Sequence, residues 1–140
     1  MGSIHFFSED IAFKPKNPRK VKAWISKSIV KEKAFFKEIN YIFCSDSYLL
    51  NFNKEYLNHN TLTDIITFDN SETKGELEGD IFISVERVKD NATRFDVSFE
   101  EELHRVMIHG VLHLLGYKDK TTSQKLLMRK KEEACLSLWQ

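Results

Sequence analysis

The chain has 140 residues, of which 41% are hydrophobic, and its 21 basic residues are balanced by 21 acidic residues. A net charge near zero argues against a dedicated nucleic-acid coat protein, because such a protein needs a large excess of basic side chains. A chain of this length can bury about two-thirds of its unfolded surface, so it needs no disulfides to fold. We expect a single domain over residues 1–140, with Cys44 and Cys135 as free thiols in a reducing compartment.

The sequence contains no charged-then-apolar leader and no long apolar run. A helix that crosses the hydrocarbon core of a bilayer needs about 20 consecutive apolar residues. We therefore expect a cytoplasmic protein that does not associate with membranes.

The first half of the chain is predicted to alternate strands with helices. Residues 4–7 form a short strand, and Asn17, which a proline follows, marks the start of the first helix. Apolar side chains at every second position indicate a strand over residues 39–43. A second helix is expected from residue 45 or 46 to about residue 57, before a loop at residues 58–60.

The middle of the chain is predicted to contain two further strands and a short helix. The strands lie at residues 64–68 and 80–85, and an acidic, glycine-containing connection at residues 72–79 joins them. The short helix follows at residues 86–95.

Two capping signals mark the last two helices. Ser98 and Glu101 form a capping box that begins a helix over residues 98–115. Residues 121–124 can cap the final helix, whose buried face is expected to contain Leu127, Ala134 and Leu138. Intermixed helices and strands indicate an α/β (α+β) fold, in which about five helices pack with a mixed sheet of about four strands.

The most informative segment is a pair of histidines near the end of the 98–115 helix. His109 and His113 are four residues apart, so their imidazoles lie on one helix face and can bind one ion. Gly116 suits the left-handed position that ends a helix, and the turn it makes can return Asp119 to the histidines. Three protein ligands with an open position are typical of catalytic zinc sites, in which water bound to the ion is the expected catalytic group.

Histidines at this spacing also occur on ordinary helix faces, so the pair alone leaves packing and metal binding as equal alternatives. The glycine, and the carboxylate at the position of a third ligand, favour the metal site. Asp64 and Asp80 stand on the predicted strands. They are either turn-capping side chains or carboxylates that support metal-binding histidines.

Basic side chains close to the histidines are candidates for contacts with phosphate. Lys118 and Lys120 flank Asp119, and Arg105 is predicted one turn before His109 on the same helix face. Two outer basic clusters, within residues 14–22 and 125–131, are more readily explained as solvated helix faces. We therefore expect Lys118, Lys120 and Arg105 to be the phosphate-binding residues.

Residues 109–117, His-Gly-Val-Leu-His-Leu-Leu-Gly-Tyr, resemble the signature of the YbeY family, bacterial rRNA maturation factors described as metal-dependent endoribonucleases. Residues 63–68 resemble the family's Thr-Asp-Val-Leu-Ser-Phe segment, and residues 79–84 resemble its Gly-Asp-Ile strand. The order and spacing of these segments agree over nearly the whole chain.

The resemblance implies a metal-dependent endoribonuclease that cuts single-stranded RNA. It implies a part in small-subunit rRNA 3′-end processing and in ribosome quality control, with rRNA and the small ribosomal subunit as partners and no DNA substrate. It also implies the α/β fold predicted above, and one zinc ion, or another divalent transition metal, bound to the site.

The sequence departs from the family pattern at two places. The family usually continues Gly-Tyr-Asp-His, with the last histidine as third ligand, where this chain has Lys118 and Asp119. An aspartate binds zinc at about 2.0–2.2 Å, so the site keeps three ligands with one more negative charge, and iron also becomes a suitable metal. Leu57 stands where the family often has an arginine, so this chain uses another cation for RNA phosphate or binds phosphate less.

Two other functions are compatible with parts of the pattern. Metzincin-like metalloproteases space their histidines similarly, but their general base is a glutamate directly after the first histidine, where this chain has Gly110. A non-catalytic ribosome assembly factor can use the same residues to hold a structural metal. Removing a structural ion costs thermal stability, whereas removing a catalytic ion costs activity at a smaller structural cost.

Overall fold

The computed structural model describes residues 2–57 and 63–139 of the chain. The loop predicted at residues 58–60 lies outside the described residues, and so does the side chain of Leu57. Within them the chain forms four strands and five helices, as predicted: β1 Ser3–Ser8, α1 Pro18–Lys31, β2 Phe35–Cys44, α2 Asp46–Leu57, β3 Ile65–Asp69, β4 Glu76–Ser84, α3 Val85–Arg94, α4 Phe99–Leu114 and α5 Thr122–Leu136.

The strands form one mixed sheet in the order β1, β2, β4, β3. β1 and β4 run parallel to β2 on either side of it, and β3 runs antiparallel to β4. The alternation that predicted β2 is confirmed, because Ile39, Tyr41 and Phe43 are fully buried. The predicted α/β fold with a mixed four-stranded sheet is therefore confirmed.

Helices cover both faces of this sheet. On one face, α1 packs on β2, and α4 packs on β3 and β4 within one large apolar core. The Tyr41 hydroxyl in that core donates a hydrogen bond to the Met107 carbonyl, with an O···O distance of 2.8 Å. On the other face, α2 packs through Leu49 and Phe52 against a smaller cluster that includes Phe82. The helix that carries the two histidines is thus fixed against the sheet.

Strand β4 begins earlier than predicted. Residues 76–79 belong to the segment that the sequence predicts as a connection, but they form the first part of the strand. Gly79 pairs with Ile39 of β2 on one side and with Asp69 of β3 on the other. Pairing with β2 over residues 76–79, and with β3 as well at Gly79, outweighs the low strand propensity of glycine and glutamate, from which the sequence predicts a loop.

The buried face of α5 differs from the predicted one. Leu127 is 46% exposed, and Ala134 and Leu138 are only partly buried. The residues of α5 that are buried are Met128, Glu132 and Cys135. The prediction is therefore wrong for Leu127, whereas Leu138 lies beyond the end of α5 and packs partly buried against the core. An apolar pattern does not register a buried glutamate, and Glu132 lies in the centre of the buried face with its carboxylate paired.

Within the part of the chain that the structure describes, no helix combines the length and the apolar character needed to cross a membrane.

Candidate metal centre

The two histidines project from the C-terminal part of α4. Their ring centroids are 4.5 Å apart, as expected for side chains four residues apart on a helix. The helix begins where the sequence predicts, because the Ser98 hydroxyl accepts a hydrogen bond from the Glu101 backbone N–H with an O···N distance of 3.0 Å. Both imidazoles are partly buried, so they are held by the fold and still reach solvent.

Gly110, between the histidines, lets α4 approach the sheet closely. A Cβ at this position would lie 2.9 Å from Ile81 Cγ2 and 3.0 Å from Ile65 Cδ1, which is closer than side-chain atoms pack. The glycine therefore sets the distance between the helix and β3 and β4. It also leaves no room for the glutamate that a metzincin-like protease has at this position.

Gly116 ends the helix and turns the chain. Its φ is 105°, in the left-handed region that favours glycine. The Gly116 N–H donates to the His113 carbonyl and the Tyr117 N–H donates to the Leu112 carbonyl, both with N···O distances of 3.0 Å. This pair of bonds is the Schellman motif, and it directs the following residues back along the face that carries the histidines.

Asp119 lies against both imidazoles after this turn. Its Oδ2 atom is 3.2 Å from His109 Nε2 and 3.5 Å from His113 Nε2. One ligand atom from each of the three residues lies within 4.8 Å of the others. Ligands at about 2.1 Å from a tetrahedral ion are roughly 3.4 Å apart, so the spacing in this cluster fits a small divalent cation.

The other ring nitrogen of each histidine has its own partner. His109 Nδ1 is 2.6 Å from Glu132 Oε2, and His113 Nδ1 is 3.0 Å from the Tyr117 carbonyl oxygen. A carbonyl only accepts hydrogen bonds, and a carboxylate does the same, so each Nδ1 carries the hydrogen and donates it. In the neutral imidazoles the lone pair is then on Nε2, and both Nε2 atoms lie within 3.5 Å of Asp119 Oδ2.

The two histidines have opposite pKa shifts. Burial acts to lower the pKa of His109, but the hydrogen bond and the charge of Glu132 outweigh it, so this pKa is raised. Burial lowers the pKa of His113, and the neighbouring His109 lowers it further. His113 is therefore neutral at pH 7, the form that binds metal, while protons compete with a cation mainly at His109.

The sequence analysis missed Glu132, because it looked only for apolar residues on the buried face of α5. Glu132 is 5% exposed and holds His109 on one oxygen, while its other oxygen accepts from Arg105 Nη1 at 3.1 Å. Its spacing could have revealed it: Glu132 is four residues after Met128 and three before Cys135, so it lies on the same helix face as these two apolar residues.

Arg105, predicted as a phosphate contact, has carboxylate partners within the protein. Its guanidinium donates to Glu132 and also to Glu133 Oε1 at 2.9 Å, and its side chain is only 12% exposed. An RNA phosphate would have to displace one of these carboxylates. Arg105 is thus placed to hold α4 against α5 and to fix Glu132 next to His109.

The remaining candidates divide between the site and other places. Lys118 and Lys120 are exposed on either side of Asp119, where the sequence puts them.

Burial raises the pKa of Asp64, and His109, Glu132 and Asp119 are its charged neighbours, so Asp64 borders the site. Asp80 accepts hydrogen bonds from the amides of Asn40 and Asn70 instead, which makes it a carboxylate that ties strands and loop together.

Comparison with known proteins gives one consistent family. The sequence profile of a family described as Endoribonuclease YbeY matches residues 4–140. A protein named Endoribonuclease YbeY from Cytophaga hutchinsonii is 54% identical over 97% of this chain and 95% of its own length. A protein of the same name from Flavobacterium psychrophilum is 53% identical over 95% of this chain and 94% of its own length.

A solved structure is similar over the same extent. The solution structure of TM1509 from Thermotoga maritima superimposes with a TM-score of 0.65 and 25% sequence identity. The match covers 97% of this chain and 88% of that one. The similarity in sequence and the similarity in fold therefore extend over nearly the same residues.

Proposed function

Because this chain belongs to the YbeY family of endoribonucleases, and is therefore a hydrolase that cleaves RNA, we propose that its activity depends on a metal ion held by His109, His113 and Asp119. The observation that carries this proposal is the convergence of these three ligand atoms within 4.8 Å. The hydrogen bonds that occupy both Nδ1 atoms add to it, because they leave both Nε2 atoms as ligands.

The donor set of two imidazoles and one carboxylate suits zinc, and it also suits iron. We propose zinc as the resident ion. A bound divalent cation supplies a Lewis acid for the phosphodiester. The contribution of the chain is to orient the ligands: Glu132 fixes the ring of His109, the Tyr117 carbonyl fixes the ring of His113, and the turn at Gly116 brings in Asp119.

The substrate we propose is single-stranded rRNA in the cytoplasm, at the 3′ end of the small-subunit rRNA, with a further part in ribosome quality control. The motif resemblance supports this finer assignment, and the small ribosomal subunit is the proposed partner. Lys118 and Lys120 are the proposed phosphate contacts, because both are exposed and flank a metal ligand. Paired cations at this position offset the charge of a phosphodiester next to the ion.

The experiment that tests this proposal is cleavage of a labelled small-subunit precursor rRNA with added zinc. Wild type, His109→Ala and His113→Ala are purified in parallel, together with His5→Ala as a matched control. His5 is a half-exposed histidine on β1 whose only ion-pair neighbour among the described residues is Glu38. Cleavage by wild type and His5→Ala, but by neither site variant, supports a metal-dependent nuclease.

Two other results would contradict the proposal. Equal cleavage by all four proteins would show that the histidine pair does not carry the activity. Zinc binding without cleavage by any of them, together with a large loss of thermal stability on chelation, would favour an assembly factor with a structural metal.

A further inference from the structure

The connection between α4 and α5, which contains Asp119, is bonded to the far end of α1. The Tyr117 hydroxyl donates to Glu32 Oε1 with an O···O distance of 2.6 Å. Lys131 of α5 donates to the other oxygen, Glu32 Oε2, at 3.1 Å, and its ammonium lies 5.3 Å from the centroid of the Tyr117 ring. The end of α1, which is distant in sequence, therefore meets both the connection and α5 at one carboxylate.

Tyr117 bonds both to Glu32 and to a histidine of the candidate metal centre. While its hydroxyl is held by Glu32, its backbone carbonyl accepts the hydrogen bond from His113 Nδ1 at 3.0 Å. A shift of the Tyr117 side chain would move the residue that orients the imidazole of His113. Asp119 follows two residues later, so the same shift would move the carboxylate ligand.

The other end of the connection is fixed as well. Gln124 Oε1 accepts from the backbone N–H groups of Lys120 and Thr121, at 3.1 Å and 3.0 Å, in a complete capping box. Asp119 thus stands between two anchored points, Tyr117 and Thr121. Only the first of these anchors depends on a residue outside α4, α5 and their connection.

The helix α1 packs on the sheet through apolar contacts that do not involve Glu32. The helix is held by an apolar face of Val21, Trp24, Ile25 and Ile29, each of them at most 3% exposed. Glu32 is the C-cap residue of α1, where the helix dipole disfavours a negative charge. Its bonds to Tyr117 and Lys131 have to outweigh that cost.

We infer that Glu32 is a positioning residue for the metal centre, which with Lys131 fixes Tyr117 and thereby the orientation of His113 and the place of Asp119. This inference rests on the proposed function, since it assumes that these residues bind the ion. Its action is indirect, because Glu32 bonds to the ring hydroxyl of Tyr117 and has no bond of its own to a ligand residue among those described.

The test measures zinc affinity by competition with a chromophoric chelator, and the visible spectrum of the Co²⁺-loaded protein. We expect Glu32→Ala and Tyr117→Phe each to weaken zinc binding about tenfold and to alter the Co²⁺ spectrum, because loss of a supporting hydrogen bond typically has this effect. Glu32→Gln keeps an acceptor for the Tyr117 hydroxyl, so it should recover much of the affinity. The double variant Glu32→Ala/Tyr117→Phe should bind no more weakly than Glu32→Ala alone, because the bond that Tyr117→Phe removes is already lost in Glu32→Ala.

Asp46→Asn is the matched control for general destabilisation. Asp46 forms a comparable, partly buried ion pair with Arg87 at 2.8 Å, which joins α2 to α3. We expect this variant to lose thermal stability while it keeps the zinc affinity and the Co²⁺ spectrum of wild type.

The possible failures are distinguishable. If wild type binds zinc and Glu32→Ala binds it equally well, with the same Co²⁺ spectrum, Glu32 is not a positioning residue and the metal centre stands. If wild type itself does not bind zinc, the proposed metal centre and the role of Glu32 are both overturned.

Discussion

Glu132 and His109 form a hydrogen bond of 2.6 Å between helices α5 and α4, and the same carboxylate pairs with Arg105. A buried carboxylate is costly unless it is paired, and here both oxygens have a partner. The contact joins two helices and at the same time sets which nitrogen of His109 is free. One residue of the core is therefore also part of the candidate site.

Replacing Glu132 with alanine is expected to weaken zinc binding by about 10–100-fold, because His109 loses the partner that fixes its ring and its tautomer. Isothermal titration calorimetry with zinc measures this change. Glu133→Ala is the control, since Glu133 binds Arg105 from the next position but has no bond to a histidine among the described residues. Equal losses in the two variants would mean that the effect comes from Arg105 and not from His109.

The identity of the third ligand predicts a graded series at position 119. Asp119→Ala should weaken zinc binding, because the carboxylate oxygen within 3.5 Å of both Nε2 atoms is removed. Asp119→His should keep or improve binding, since histidine is the ligand that the resembling family usually has. Competition titrations of the three proteins give the order of affinities. Identical affinities throughout the series would remove Asp119 from the ligand set.

Adding a methyl group at Gly110 should destabilise the fold. The new Cβ would overlap Ile81 and Ile65, and such overpacking typically costs about 1–3 kcal/mol of the free energy of unfolding. Urea denaturation of metal-free Gly110→Ala measures this cost. Ile81→Val removes the Cδ1 atom that would lie 3.0 Å from the new Cβ, so Gly110→Ala should cost less in that background. The same cost in both backgrounds would point to a cause other than this contact.

Glu102 is expected to make stability depend on pH. Burial raises the pKa of its carboxyl to about 7, so the folded protein binds this proton more tightly than the unfolded chain does. Stability from this group is present at low pH and is lost as the pH rises from about 4.5 through 7. Glu102→Gln cannot ionise, so its free energy of unfolding should exceed that of wild type by about 1–3 kcal/mol at pH 8, and by much less at pH 5.

Denaturation of both metal-free proteins at the two pH values measures this difference. Glu100→Gln is the control, because Glu100 is an exposed carboxylate on the same first turn of α4. A gap between wild type and Glu102→Gln that does not widen with pH would contradict the explanation.

Much of the candidate site follows from local sequence signals. The spacing of His109 and His113, the glycine at 116 and the carboxylate at 119 all act within one helix and its turn. The structure places these residues together because α4 begins at Ser98 and ends in a Schellman motif at Gly116. Such signals are readable without knowledge of the rest of the fold.

The supporting residues could not be predicted in this way. Glu132 and Glu32 reach the site from other helices, and nothing in the residues next to them indicates their partners. The same reason accounts for the wrong face of α5, since a glutamate becomes a core residue only when Arg105 and His109 stand opposite it. The early start of β4 also depends on a distant partner, because residues 76–78 pair with β2.

The bonds at the end of α4 use His113 twice. Its backbone carbonyl accepts from the Gly116 N–H, and its ring donates to the Tyr117 carbonyl, while the Tyr117 N–H is bonded to Leu112. Fraying of this last helical turn would therefore withdraw an imidazole as it breaks the backbone bonds. An ion that binds only while this turn is intact should therefore slow hydrogen exchange at the Gly116 and Tyr117 amides, because binding and local opening of the turn are coupled.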